Sequence, residues 1–269
     1  MKKILLLMSA GLSFCACNSS KQADDASANT KSLIVYYSQT GATQQLAQAL
    51  QQYTGADIEA LSLVQPYDGD FSATIARCQD EMTNGTLPEL NALTSDFAAY
   101  DTIYIAYPVW FGTYAMPVAS LLQNQDFTGK VVVPFCTFGS GGLNTSSQQL
   151  SEQLPSATVL PGYGVRNARI AAASAELKQF LINSDIIAGE KVVLPDFTEQ
   201  SALTEADQQL FDAACSSYSM PLGTPLTVGQ RPIAAGTEYL FTVDANGSTA
   251  QIYVTAAEGA APEFTQVVR

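Results

Sequence analysis

Residues 32–50 read SLIVYYSQTGATQQLAQAL. An apolar run stops at Ser38-Gln39-Thr40-Gly41-Ala42-Thr43, and a helical pattern starts at once. Leu33–Tyr37 shows no polar alternation, the pattern of a strand buried on both faces of a sheet. Thr43–Tyr53 places Leu46, Ala49, Leu50 and Tyr53 on one side of a helix. The residues between them are small or hydroxylated around one Gln, and none is charged. The first N–H groups of a helix lack internal partners and carry partial positive charge, so they attract an anion. Gly41 lets the backbone curl close to a ligand, and Ser38, Thr40 and Thr43 offer hydroxyl donors. The segment predicts a phosphate cradle made of neutral donors. The alternative is a plain strand-to-helix turn with hydroxyl caps.

Outward from this unit the alternation continues. Asp57–Val64, Thr102–Tyr107, Lys130–Thr137 and Thr158–Leu160 read as strands. Phe71–Met82, Met116–Leu122, Thr145–Leu154 and Ser174–Ile182 read as helices. Strands alternating with helices predict an α/β domain, a doubly wound five-stranded parallel sheet over residues 32–183. In such a sheet ligands bind beyond the carboxyl ends of the strands, at the topological switch point. The loops after the first, third and fourth strands are therefore the candidate site.

Two of those loops are as unusual in composition as the first. Pro108-Val109-Trp110-Phe111-Gly112 carries the only Trp of the chain. Aromatic faces at a strand end can stack a planar ring, or they can plug the sheet. Thr137-Phe138-Gly139-Ser140-Gly141-Gly142 has three glycines in four residues, suited to a flat ligand or to an ordinary flexible loop.

Together these segments carry a resemblance. Ser38, Thr40, Gly41 and Thr43 match the Ser/Thr-x-Thr-Gly-x-Thr phosphate loop of flavodoxins. Pro108, Trp110 and Gly112 are similar to the Pro-x-Trp/Tyr-x-Gly loop that lines the isoalloxazine in that family. The Gly- and Ser-rich third loop resembles its family counterpart, and Tyr67-Asp68 and Arg77-Cys78-Gln79-Asp80-Glu81 also recur there. The resemblance implies FMN as cofactor. It implies FMN contacts from Ser38, Gln39, Thr40, Gly41, Ala42 and Thr43 on the phosphate. Pro108 to Gly112 and Thr137 to Gly142 would contact the ring.

The ends of the chain read differently. MKKILLLMSAGLSFCACNSS has a basic start and an apolar stretch too short to span a bilayer. Ser13-Phe14-Cys15-Ala16-Cys17 resembles the lipobox of bacterial lipoproteins, which implies a signal peptide over 1–17 and a lipid on Cys17. An ordinary cleaved signal is the alternative. Residues 18–31, rich in Ser, Ala, Asp and Asn, read as a flexible tether. This places the protein outside the cytoplasm, lipid-anchored to a membrane surface of the bacterial envelope. Residues 184–203 read as a linker. Over 204–269, Thr204-Glu205-Ala206-Asp207 resembles a capping box, a helix follows to about Ser217, and then come only strands. Asn246-Gly247 is a hairpin signal between two of them. This is a small α+β module that resembles cystatin-like folds, with Pro232 where the inhibitory hairpin of that family has Gln.

Composition narrows the function. The 269 residues are 47% hydrophobic and 14% charged, with a net charge of −13 and no histidine. Nucleic-acid binding needs clustered cations and is excluded. Triads built on His and His metal sites are excluded too. Cys78, Cys136 and Cys215 have no metal-ligand spacing, so no metal is expected. The expectation is an FMN-binding redox protein, an electron carrier or an NAD(P)H- or quinone-type oxidoreductase. Its acidic surroundings should disfavour anionic reduced flavin. The rival reading is a non-catalytic surface protein that binds through its C-terminal module.

Overall fold

The computed structural model describes residues 31–67, 70–234 and 236–269. The signal segment, Cys17 and the tether of 18–30 lie outside them. The first unit runs β1 (Ser32–Tyr36), α1 (Ala42–Thr54), β2 (Asp57–Ala60), α2 (Phe71–Asn84), β3 (Thr102–Trp110), β4 (Thr113–Tyr114), α3 (Met116–Asn124), β5 (Val131–Phe138), α4 (Leu143–Gln153), β6 (Thr158–Val159), β7 (Tyr163–Arg166) and α5 (Ala173–Asn183). The second runs β8 (Ser201–Ala202), α6 (Glu205–Cys215), β9 (Thr224–Ile233), β10 (Gly236–Asp244), β11 (Thr249–Ala256) and β12 (Glu263–Val268).

The first sheet has the order β2-β1-β3-β5-β6, with these neighbours parallel. The chain adds β2 on one side of β1 and β3 on the other, so the switch point lies between β1 and β3. Leu33, Ile34 and Val35 are all fully buried, as the unbroken apolar run predicts. Successive side chains of a strand point to opposite faces, and the core divides accordingly. Leu33, Val35, Ile103, Ile105 and Tyr107 pack with Val118 and Leu121 of α3 and Leu150 of α4. Ile34, Tyr104, Ala106 and Phe135 pack with Leu46 and Leu50 of α1 and Leu177 and Leu181 of α5.

Three departures from the sequence reading have local causes. The second strand ends at Ala60 rather than Val64. Leu61 and Leu63 turn into the core, and Leu63 bridges only Leu90. The third strand runs on to Trp110 and turns back as β4, with Trp110 opposite Thr113. The last strand is in two pieces. β6 pairs the start of β5, and β7 pairs its end over Phe135 to Phe138.

The second unit is an antiparallel sheet, β12-β11-β10-β9-β8. Phe211 and Ala214 of α6 pack on Phe241, Val243, Ile252, Val254 and Phe264. Thr204 and Asp207 form a complete capping box. Asp at the third position accepts from the Thr204 backbone N–H at 2.9 Å, as Glu would. Asn246 and Gly247 both have positive φ, 60° and 85°, the geometry of a type I′ turn. The connecting stretch 184–203 is pinned at both ends. Asn183 bonds Val192 twice, while Thr198 pairs with Gln230 and Ser201–Ala202 forms the edge strand β8.

Candidate functional site

The three candidate loops leave the carboxyl ends of three adjacent strands, β1, β3 and β5. The Tyr37 N–H donates to the Ala106 carbonyl at 3.0 Å, carrying the β1–β3 pairing to the mouth of the first loop. Pro108 stands opposite Thr137, so the second and third loops start side by side.

The first loop is shaped from within. The Gly41 N–H donates to Ser38 Oγ at 3.1 Å, and the Tyr37 hydroxyl donates to Gln39 Oε1. Burial pushes that hydroxyl up to about 12. Gly41 has φ +92°, and the space a Cβ would fill is open. An L-residue is strained in this conformation, so glycine is required by the backbone and not by crowding. Helix α1 starts there with no side-chain cap. Helices α2 and α6 differ: Asp70 caps the first through Ser72 and Ala73, and Thr204 caps the second. The N-terminal donors of α1, like those of α3, α4 and α5, carry no side-chain cap and so are open to a ligand. No carboxylate stands in the first turn to compete.

Thr43 is only 1% exposed, and its Oγ1 lies 2.8 Å from Oγ1 of Thr137, also 1% exposed. The two hydroxyls lock the first loop to the third. Thr43 thus spends its hydroxyl on the protein interior, a role the sequence pattern alone did not reveal.

The second loop is a tight hairpin. Phe111 has φ +50° and Gly112 φ +81°. A bulky residue in the left-handed region is strained, and such strain clusters at functional sites. Phe111 is 51% exposed at the hairpin tip. Trp110 stands edge-on to Tyr67 at 5.2 Å and to Tyr37 at 5.8 Å between centroids, T-shaped pairs that add to area burial. Tyr67 is itself held. Its hydroxyl donates to Glu81 Oε2 at 2.6 Å, and Arg77 donates to Glu81 Oε1 at 2.8 Å. The guanidinium lies 4.2 Å over the Tyr67 ring. Arg77 also donates to the carbonyls of Gln65 and Pro66. A chain of contacts from α2 thus sets the indole at the site.

The third loop meets the second through Val109, whose Cγ1 lies 2.6 Å from where a Cβ on Gly142 would be. Gly142, at φ +120°, starts α4 without a side-chain cap. Gly141 is tighter still: a Cβ there would fall 2.2 Å from the Val267 carbonyl oxygen. The close approach that this glycine permits is to β12 of the second unit. The Val267 N–H donates to the Ser140 carbonyl at 2.7 Å. Arg166, 9% exposed, donates from Nε to Gly139 O at 2.8 Å and from Nη1 to Phe264 O at 2.7 Å. The sequence reading counts Glu263–Val268, the span of β12, among the C-terminal strands, but brings neither that strand nor Arg166 to the site. The one available signal was that Arg166 and Arg169 are two of only 12 Lys and Arg in the chain.

The three loops carry no ionisable acid or base. Among the described residues no group of His, Cys, Asp and Glu could hold a metal, and no helix is long and apolar enough to cross a membrane. Burial pushes the Cys78 and Cys215 thiols up to about 11 and the Cys136 thiol higher, so none is an activated nucleophile. The donor set fits a phosphate on α1 with a planar ring at the second and third loops.

Comparison with known proteins agrees with the fold. The sequence profile of the family described as Flavodoxin matches residues 31–184, more than half of the chain. A candidate flavoprotein of Bacteroides uniformis is similar at 26% identity and TM-score 0.50, over 55% of this chain and 98% of that one. A candidate flavoprotein of Bacteroides eggerthii shows 26% identity and TM-score 0.49, over 60% of this chain and 100% of that one. A Lactobacillus acidophilus flavoprotein in complex with FMN shows 23% identity and TM-score 0.46, over 54% of this chain and 99% of that one. No curated protein matches. The order of the parallel sheet, the uncapped glycine start of α1 and the profile match agree: the chain belongs to the flavodoxin family.

Proposed function

We propose that the protein is an FMN-binding redox protein, held at a bacterial envelope surface by a lipid on Cys17. The observation that carries the reading is the start of α1: Gly41 in the left-handed conformation, open space above it and no side-chain cap. When bound, FMN supplies one- and two-electron chemistry, and the protein supplies binding and orientation. Backbone N–H groups of Ala42 and Thr43, with Ser38 and Thr40, hold the phosphate. The Phe111–Gly112 hairpin and the Gly139 to Gly142 backbone flank the ring. Trp110, braced by Tyr67, fixes one side of the site. Thr43 and Thr137 keep the two ends of the site in register. A titration of flavin fluorescence with the protein tests this: saturable one-to-one quenching supports the reading, and its absence contradicts it.

The envelope location follows from the sequence of the first 31 residues. Labelling of expressing cells with a palmitate analogue tests it. Label on the wild type and none on Cys17→Ser supports the anchor; equal label on both contradicts it.

A further inference from the structure

We propose that the flavin ring is held between the two units, with β12 of the C-terminal unit as the far wall of its site and Gln266 as the side chain that hydrogen-bonds the polar edge of the ring. The inference rests on the FMN reading above and extends it to a strand beyond the flavodoxin match, residues 31–184. The seam between the units is built backbone to backbone. The Val267 N–H donates to the Ser140 carbonyl at 2.7 Å, and the Gly141 backbone approaches the Val267 carbonyl too closely for any other residue. Arg166 fastens both sides, donating to Gly139 O in the third loop and to Phe264 O in β12. Its guanidinium lies 4.3 Å from the Phe264 ring centroid. Burying a cation is costly unless its donors are used, so these bonds hold β12 against the loop. Arg169 adds an ion pair to Glu263 at 3.0 Å.

Gly112 and Ser140 to Gly142, assigned above to the ring, line a cavity of about 290 Å³. Its other walls are Leu143 to Thr145 of α4 and Gln266 to Arg269. A ring placed between the second and third loops therefore meets β12. The strand carries an irregularity at this point. Tyr253 pairs with Gln266 and Val254 with Phe264, so Thr265 is an extra residue, a β-bulge. Side chains two apart on a regular strand share a face, which would put Gln266 with Phe264 in the core. The bulge puts Val267 there instead and leaves Gln266 to the cavity. Two amide side chains line that space; Asn144 is exposed, while Gln266 is half-buried. The Gln266 amide makes no hydrogen bond to another described residue. It offers both donors and an acceptor, and the pyrimidine edge of an isoalloxazine presents carbonyls and an N–H to match.

The test uses the full chain, followed by amide exchange, flavin titration and reduction potential. Adding FMN to the wild type is expected to slow exchange at Gln266 to Val268 as well as at Ala42 and Thr43. Gln266→Leu is expected to raise the Kd for FMN about fivefold, to shift the visible flavin bands and to leave the melt of the apoprotein unchanged. Gln266→Glu sets a carboxylate beside the ring at pH 8. That charge opposes the electrons added on reduction, so its bound flavin is expected to show a lower potential than that of Gln266→Leu. Arg166→Met is expected to speed exchange at Val267 and to weaken FMN binding by a similar factor. If Arg166→Met fails to fold, Gln266→Leu, at a half-buried position, carries the test. Slowing at Ala42 and Thr43 with none at Gln266 to Val268 overturns the inference and leaves FMN binding intact. So does Gln266→Leu with the affinity and bands of the wild type. Failure of the wild type to bind FMN overturns the reading beneath it.

Discussion

Thr43 and Thr137 stand 94 residues apart in sequence, and their buried hydroxyls meet at 2.8 Å. One opens α1 and the other closes β5. Their bond joins the two loops assigned to the phosphate and the ring. Removing one partner leaves a buried hydroxyl unsatisfied, which costs about 1–3 kcal/mol, whereas replacing both by apolar groups of the same shape is close to neutral. Thr43→Val and Thr137→Val are each expected to lower stability by that amount, and the double variant to recover most of it. Urea unfolding of the four proteins, as a double-mutant cycle, measures the coupling.

Phe111 holds a left-handed backbone conformation at a half-exposed hairpin tip. That conformation costs about 1–2 kcal/mol for an L-residue and less for Asn or Gly. Phe111→Asn is therefore expected to raise stability by about 1 kcal/mol while weakening FMN binding. Thermal melts of the apoprotein and flavin titrations read the two effects separately. A variant that gains stability and keeps full FMN affinity would show that the strain serves no ligand.

The bracing of the indole has its own reporter, because Trp110 is the only Trp in the chain. Glu81 is 7% exposed and accepts from both Tyr67 and Arg77. Glu81→Leu removes both bonds and leaves the Tyr67 hydroxyl buried without its partner. A loss of about 1–3 kcal/mol is expected, with a red shift and broadening of Trp110 emission in the folded protein. Unchanged emission would disconnect α2 from the site.

The pH dependence follows from the tyrosines. Burial pushes Tyr37 up to about 12, and burial raises Tyr67 and Tyr107 as well. A folded-state pKa above the unfolded value near 10 means that the native chain keeps protons the unfolded chain gives up. The contribution is whole below about pH 10 and is lost as pH rises from there toward about 12. Stability is expected to fall over that window, and Tyr37→Phe to make the fall shallower. Urea midpoints from pH 8 to 11 check it.

Much of the first domain was legible because local and global signals agree there. The run 33–37 is apolar on both faces, and its strand is buried on both faces. The neutral loop at 38–43 opens a helix that no side chain caps. What was not legible depends on contacts distant in sequence. Tyr163–Arg166 mixes Gly and Arg into a short strand, so no period marks β7. The hairpin at Phe111 reverses on a conformation that composition does not favour. Gly141 reads as room for a flat ligand, yet its Cβ space is taken by the Val267 carbonyl. Only the docked C-terminal unit reveals that demand. Thr43 fits a phosphate motif, and its hydroxyl turns inward because Thr137 lies beside it on β5.

The central claim is that the α1 start holds FMN. The most direct measurement is the visible absorption spectrum of the purified chain, residues 18–269, after FMN saturation and removal of free flavin. The account predicts flavin bands near one FMN per chain, lost in Thr40→Ala/Gly41→Val while the circular dichroism of the fold is kept. A flavin-free wild type, or equal flavin retention by that variant, would contradict it.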